Sequence, residues 1–241
     1  ATAPRSRHEV PSRPSVRPPG RPRALTARGL SLRAYLALAR GRAPLPGDLP
    51  LRPDGPLVWV HAETDEQGRA LAHLCGRLRL QRPDVSVIAT GAVPDLPGLP
   101  RIALPEDRPA VCDAFAAALR PDCGLWAGQA LRPALLDAMA RQGTWLALLA
   151  AADAPWTSPA MRWVPDPAAA TLALFDRIHA TDAAAMRALR RYGVEPERLR
   201  LSGILRDGGL PRDCDTAMHG KLSGHLAGRP VWLAAYLREA E

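Results

Sequence analysis

The sequence predicts an α/β protein built on a Rossmann-like, doubly wound, mainly parallel sheet. Three observations carry that prediction. Leu57-Val58-Trp59-Val60 is an unbroken apolar run that ends in a polar turn, His61-Ala62-Glu63-Thr64-Asp65-Glu66-Gln67-Gly68, with an amphipathic segment directly behind it. A run this apolar suits a strand buried on both faces, which requires helices on both sides of the sheet. Short apolar runs then alternate with helix-periodic segments as far as Gly203, the pattern of successive βαβ units with right-handed crossovers. Ligands of open α/β sheets bind at the carboxyl ends of the strands, so the turn after Val60 is the first place to look for a site.

Each element has its own signal. Residues 1–24 interleave Pro with Arg and Ser and cannot build a core; a disordered tail is expected. Residues 25–41 read as a short amphipathic helix. Leu32, Tyr35, Leu36 and Leu38 form its apolar side, and Arg28, Arg33 and Arg40 carry charge. Such a helix packs on a domain or lies on a membrane, and packing is the expectation here. Pro44 to Pro56 is a Pro-rich connector. Strand 57–61 leads to a helix near 66–81 with Leu71, Leu74, Cys75 and Leu78 on one face. Val85 to Thr90 is the second strand and Arg101 to Leu104 a short one. Pro105-Glu106-Asp107 opens a helix near 108–119, its acids favoured by the helix dipole.

Further on, Cys123 to Ala127 is a strand, followed by a helix near 131–141 and a strand from Thr144 to Leu149. Asp153 to Pro165 is an irregular loop holding Trp156 and Trp163, both expected to pack rather than touch lipid. A short helix at 167–175, a strand at 176–180, a helix at 183–192 with Met186 and Leu189 inward, and a strand and turn at 198–203 follow. A helix at 214–227 precedes Arg229 to Tyr236, which reads as the start of a further strand. The expected domains are a basic leader over 1–43, a Rossmann-like domain over 53–227, and the opening of a truncated second domain over 228–241.

Charge is uneven. The first 43 residues hold ten of the 32 basic residues and one of the 24 acidic ones, leaving 22 basic against 23 acidic on the remainder. The body is therefore close to neutral, which argues against a nucleic-acid-binding fold. A basic arm attracts an anionic membrane surface, or is simply a solvated tail. Lys221 is the one lysine, so the Arg, Ala and Pro content reflects a GC-rich genome as much as a function. Cys75, Cys112, Cys123 and Cys214 form no CxxC pair and have no His at zinc-ligand spacing. Buried free thiols in a reducing compartment are expected, with no metal and no cofactor. No run approaches the ~18 apolar residues of a membrane span, and the leader lacks the apolar region of a signal peptide.

Three segments resemble the N-terminal, acceptor-side half of the 3-deoxy-D-manno-oct-2-ulosonic acid (Kdo) transferases. These are Gly55-Pro56-Leu57-Val58-Trp59-Val60-His61-Ala62, Leu201-Ser202-Gly203-Ile204-Leu205-Arg206 and Gly228-Arg229-Pro230-Val231-Trp232-Leu233-Ala234-Ala235. The resemblance implies the N-terminal half of a two-domain GT-B glycosyltransferase. Its acceptor would be a lipid A-like molecule, and a CMP-sugar donor would be held by the missing C-terminal half. It also implies a cytoplasmic protein peripheral at the inner face of a Gram-negative cell membrane.

The departures concern chemistry. The family's general-base Glu, in a Glu-Arg-(Leu/Tyr)-Gly motif, falls on Ala39 to Leu49, which contains no Glu. Its Ser-Val-Gly-Glu falls on Thr64-Asp65-Glu66-Gln67, and its Glu-(Ser/Thr)-Glu-Leu-Trp-Pro on Gly128-Gln129-Ala130-Leu131-Arg132-Pro133. The Arg of its Ala-Arg-Leu-Ser falls on Ala151, and its Ser-Thr-His on Tyr236-Leu237-Arg238.

A base for a sugar hydroxyl must reach that hydroxyl and be ionised near neutral pH. Glu63, Asp65 and Glu66 are the candidates, against a plainer role in which Thr64 or Asp65 caps the next helix and the acids complement its dipole. His61, Glu63, Thr64, Glu66 and Gln67 are the expected acceptor-binding set, with His61 read as a structural hydrogen-bonding group. Arg206 stands at a family Lys position facing the interdomain cleft and is suited to phosphate. Gly203, Gly208 and Gly209 mark a tight turn without a phosphate-binding signature. The rival classes are a binding or scaffold protein descended from such an enzyme, and an unrelated nucleotide-binding Rossmann protein. The lack of GxGxxG after Val60 counts against the latter.

Overall fold

A computed structural model describes residues 29–40, 51–156, 166–206, 208 and 215–229. The expectations for residues 1–28, for 41–49 in the base-motif region, for Trp163, Gly209 and Cys214, and for residues 230–236 of the further strand lie outside the described residues. The chain divides into two compact units, Ala1–Asp207 and Gly208–Glu241.

The first unit is a six-stranded sheet in the order β2-β1-β3-β4-β5-β6. Its strands are β1 (Leu57–Ala62), β2 (Ser86–Gly91), β3 (Cys123–Ala127), β4 (Trp145–Ala151), β5 (Arg177–Ala180) and β6 (Leu199–Leu201). Every pairing is parallel. The helices are α1 (Leu30–Leu38), α2 (Asp65–Gln81), α3 (Pro109–Leu119), α4 (Pro133–Arg141), α5 (Ala168–Leu172) and α6 (Ala183–Arg191). The second unit contains α7 (Thr216–Leu226).

Strand periodicity splits β1 between two cores. Leu57 and Trp59 join a cluster with α1, α3, α4, α5 and α6, while Val60 and Ala62 join one with Leu71, Ala72 and Cys75 of α2. Both faces of β1 are therefore covered, as its apolar run requires. Trp59, Trp126, Phe175 and Leu135 are among the largest fully buried side chains, each stabilising the fold by roughly 1.5–3 kcal/mol. Gly68 lets α2 close onto the chain after β2: a Cβ there would stand 2.0 Å from the Ala92 carbonyl oxygen.

Several expectations need correction. Arg101 to Leu104 is not a strand; it makes one isolated bridge, Ala89 to Arg101. Helix α3 starts at Pro109 without a side-chain cap, and Asp107 meets it by accepting from the Cys112 thiol at 3.9 Å. The Asp107 carboxylate accepts from the backbone N–H of Leu135 (3.0 Å) and Ala134 (3.4 Å), at the start of α4. It also accepts from the Tyr35 hydroxyl of α1 at 2.7 Å. Burial raises the Asp107 pKa, and burial beside that carboxylate pushes the Tyr35 hydroxyl up. Leu38 and Leu74 are exposed, because α1 seats Leu32, Tyr35 and Leu36 inward and α2 seats Ala70, Leu71, Ala72 and Cys75. Met186 of α6 is half-buried. Trp156 is buried in the larger core. No helix among the described residues is long and apolar enough to cross a membrane.

Candidate functional site

The strand order places a topological switch point between β1 and β3. From β1 the chain crosses to β2 on one side, then returns past β1 to β3 and continues outward. The crevice at the carboxyl ends of β1 and β3 is where such sheets bind ligands, and Glu63 stands in it. Its backbone N–H donates to Ala127 O at 2.9 Å, which continues the β1–β3 ladder by one residue. Its side chain reaches across to the turn after β3. There Oε2 accepts from the N–H groups of Gln129 (2.6 Å) and Ala130 (3.1 Å). The neighbouring Gly128 makes room for it: with φ 151, a Cβ would lie 2.7 Å from both Glu63 Cβ and Oε2.

The residues after Glu63 start α2. Thr64 accepts from the Gln67 N–H at 3.3 Å, and Gln67 Oε1 accepts from the N–H groups of Thr64 (3.1 Å) and Glu63 (3.2 Å). This reciprocal capping box occupies the polar groups of Thr64 and Gln67. Asp65 and Glu66 lie exposed in the first turn, where the helix dipole favours acids.

His61 is buried, with its ring stacked on Trp126 at a centroid distance of 3.9 Å. Thr90 Oγ1 donates to Val60 O at 3.3 Å and accepts from Trp59 Nε1 at 3.0 Å. His61 Nδ1 lies 3.1 Å from the same hydroxyl, and which of the two donates is set by the ring tautomer. Burial, with a smaller push from the charge of Arg132, holds the His61 pKa down to about 4. The imidazole is therefore neutral at neutral pH.

Arg206 is exposed in the stretch after β6, and β3, β4 and β5 separate β6 from β1. Gly203 adopts φ 80 there, but residues 202–206 form no hydrogen-bonded turn. At the carboxyl end of β4 the register shifts between Leu148 and Ala151, and Ala150 adopts φ 53, which a non-glycine residue rarely takes. Among the described residues no group of three or more His, Cys, Asp or Glu is placed to hold a metal ion. Burial pushes the Cys75 thiol up to about 11 and the Cys123 thiol up to about 12, which suppresses their reactivity.

Sequence reasoning missed the Gln129 and Ala130 N–H groups, because backbone donors leave no trace in side-chain identity. It also missed Thr90, which shows only as a hydroxyl ending an apolar run, and the double attachment of Asp107.

The all-parallel sheet with its flanking helices defines a Rossmann-like α/β domain. The chain belongs to the N-terminal family described as 3-deoxy-D-manno-octulosonic-acid transferase (kdotransferase), whose model matches residues 38–207. No curated protein matches. Among solved structures, the chain is similar to a Listeria monocytogenes protein described as a UDP-N-acetylglucosamine 2-epimerase. The identity is 16%, covering 70% of this chain and 51% of that one, with a TM-score of 0.46. A second UDP-N-acetylglucosamine 2-epimerase is similar at 14% identity, covering 66% of this chain and 53% of that one, with a TM-score of 0.44. The chain thus spans about half the length of these structures.

Proposed function

We propose that the sheet unit is the acceptor-side domain of a Kdo transferase-type GT-B glycosyltransferase. Its parent would move Kdo or a related sugar from a CMP-sugar to a lipid A-like acceptor at the inner face of the cell membrane. In this reading residues 53–227 hold the acceptor and residues 228–241 open the donor-binding half. The observation that carries it is the family match across the sheet unit, and the carboxyl ends of β1 and β3 are where an acceptor would bind an open sheet. Glu63 is the leading base candidate in that crevice: its carboxylate is fixed by two N–H groups and open to solvent. Asp65 and Glu66 flank it. His61, Thr64 and Gln67 support the acceptor site from behind, through the Trp126 stack and the capping box. Arg206 is assigned to phosphate.

The reading is tested by titrating lipid A precursors into the chain with and without residues 1–43. Saturable binding that survives the deletion supports it, and binding that vanishes with the leader refutes it.

A second reading, a non-catalytic binding or scaffold protein derived from the family, is favoured by one observation. The positions of the family's paired acids are Gly128 and Ala130, and the N–H groups of that turn are taken up by Glu63. The reading frame beyond Glu241 discriminates: a continuing sugar-nucleotide domain favours the enzyme, and a stop codon favours the scaffold.

A further inference from the structure

Strands β5 and β6 break a rule that β1 and β4 keep. Parallel strands covered on both sides are apolar on both faces, yet β5 reads Arg177-Ile178-His179-Ala180 and β6 reads Leu199-Arg200-Leu201. Ile178, Ala180 and Leu199 enter the larger core. Side chains alternate along a strand, so Arg177, His179 and Arg200 share the opposite face. The register sets His179 directly beside Arg200.

One acceptor brings the two guanidinium groups together. Arg177 Nη1 donates to Glu197 O, and Arg200 Nη1 donates to the same oxygen at 3.3 Å and to Leu199 O at 2.8 Å. A guanidinium has five N–H donors, so each keeps a fork of donors beyond these bonds. His179 feels both charges: burial, then Arg177 and Arg200, hold its pKa below the ordinary value. Among the described residues no carboxylate pairs with any of the three. Nearby acids are engaged elsewhere: Asp176 accepts from the Leu146 N–H, Asp182 caps α6, and Glu195 pairs with Arg198. Like charges side by side on neighbouring strands destabilise the pair. Charges that only blunt a sheet edge belong on the edge strand, but two of these three stand on β5, inside the sheet. A counter-charge from outside the fold would complete the cluster.

We propose that Arg177, His179 and Arg200 bind a small, doubly charged oxyanion of the phosphate-ester class. Arginine forks suit the paired oxygens of such a group. Two fixed positive charges match a dianion, and His179 adds a ring N–H donor. Strand β4 separates this cluster from β3, so the site is distinct from the β1–β3 crevice and does not rest on the acceptor reading.

The experiment is an NMR titration of the full chain that follows the His179 ring protons, assigned with His179→Gln. Inorganic sulfate, inorganic phosphate, methyl phosphate and acetate are added in turn, with chloride holding the ionic strength constant. A signal at His179 does not respond to ions gathered diffusely by the arginine-rich leader. The expected result is a saturable shift with the three dianions, with Kd below about 1 mM. Saturation with sulfate, whose charge is fixed, should raise the His179 pKa by about one unit, because a bound anion favours the imidazolium. Arg177→Gln and Arg200→Gln should each weaken binding about tenfold, while Arg191→Gln, exposed on α6, should leave it unchanged. Tighter binding of methyl phosphate than of phosphate assigns an ester, and the reverse assigns the free ion; either upholds the site. A shift that never saturates, an equal shift with acetate, or saturable binding indifferent to both arginine substitutions overturns it. If a variant fails to fold, the wild-type titration and its acetate arm still decide.

Discussion

Acid should destabilise this domain, with His61 as a separable contributor. His61 is 7% exposed, and burial followed by the charge of Arg132 lowers its pKa from 6.5 to about 4. The unfolded chain takes up a proton at this ring once the pH falls below the ordinary value, whereas the folded chain resists until about 4. The stability linked to His61 is therefore complete above pH 6.5 and is lost as the pH falls toward 4. One pKa unit corresponds to about 1.4 kcal/mol, so the loss is about 2 kcal/mol near pH 5 and reaches a limit of about 3 kcal/mol. The assay is urea unfolding followed by circular dichroism, from about pH 7 to about pH 4.5, on the wild type and His61→Gln. His179, held down by burial and by Arg177 and Arg200, is common to both proteins, so the difference between them isolates His61. Parallel loss in the two proteins, or an NMR titration of His61 with its midpoint near 6.5, would refute the reasoning.

Other substitutions follow from the same geometry. Asp107→Ala strips the acceptor from the Tyr35 hydroxyl and from the start of α4, and is expected to cost about 3 kcal/mol in urea unfolding. Tyr35→Phe should cost about 1 kcal/mol, with a double-mutant cycle revealing coupling between the two. Two glycines of α2 should respond in opposite directions. Gly68→Ala drives a Cβ into the Ala92 carbonyl and is expected to cost more than about 3 kcal/mol. Gly76→Ala meets nothing within 4 Å and should stabilise by up to about 1 kcal/mol; both are read from thermal or urea midpoints. Glu63→Ala should speed amide exchange at Gln129 and Ala130 about tenfold, measured by hydrogen-exchange NMR.

The sheet was legible in the sequence because buried parallel strands have little choice of composition. Leu57 to Val60, Val87 to Ala89 and Leu146 to Leu148 are apolar on both faces, as strands covered on both sides are. Bounds were less legible where proline and acids gave competing signals. Pro105-Glu106-Asp107 looked like the start of a helix, yet its Asp is pulled away by Tyr35, a residue 72 positions earlier in the chain. Thr64 as a cap could be anticipated from local spacing. The clasp of Glu63 on Gln129 and Ala130 could not, because it joins residues 66 and 67 positions apart and depends on which strand lies beside β1. The site was thus legible as a place, the carboxyl end of β1, while its internal hydrogen bonds required the neighbouring strand.

The position of β1 in the strand order also bears on synthesis. Leaving the ribosome, β1 soon meets β2, but its other neighbour arrives only when Cys123 pairs with Val58. Until then this largely apolar strand presents a bare hydrogen-bonding edge, the condition under which nascent chains associate wrongly. Pairing over so long a loop is slow. The yield of native protein should therefore depend on chaperone supply and growth temperature more than on the equilibrium stability of the finished sheet.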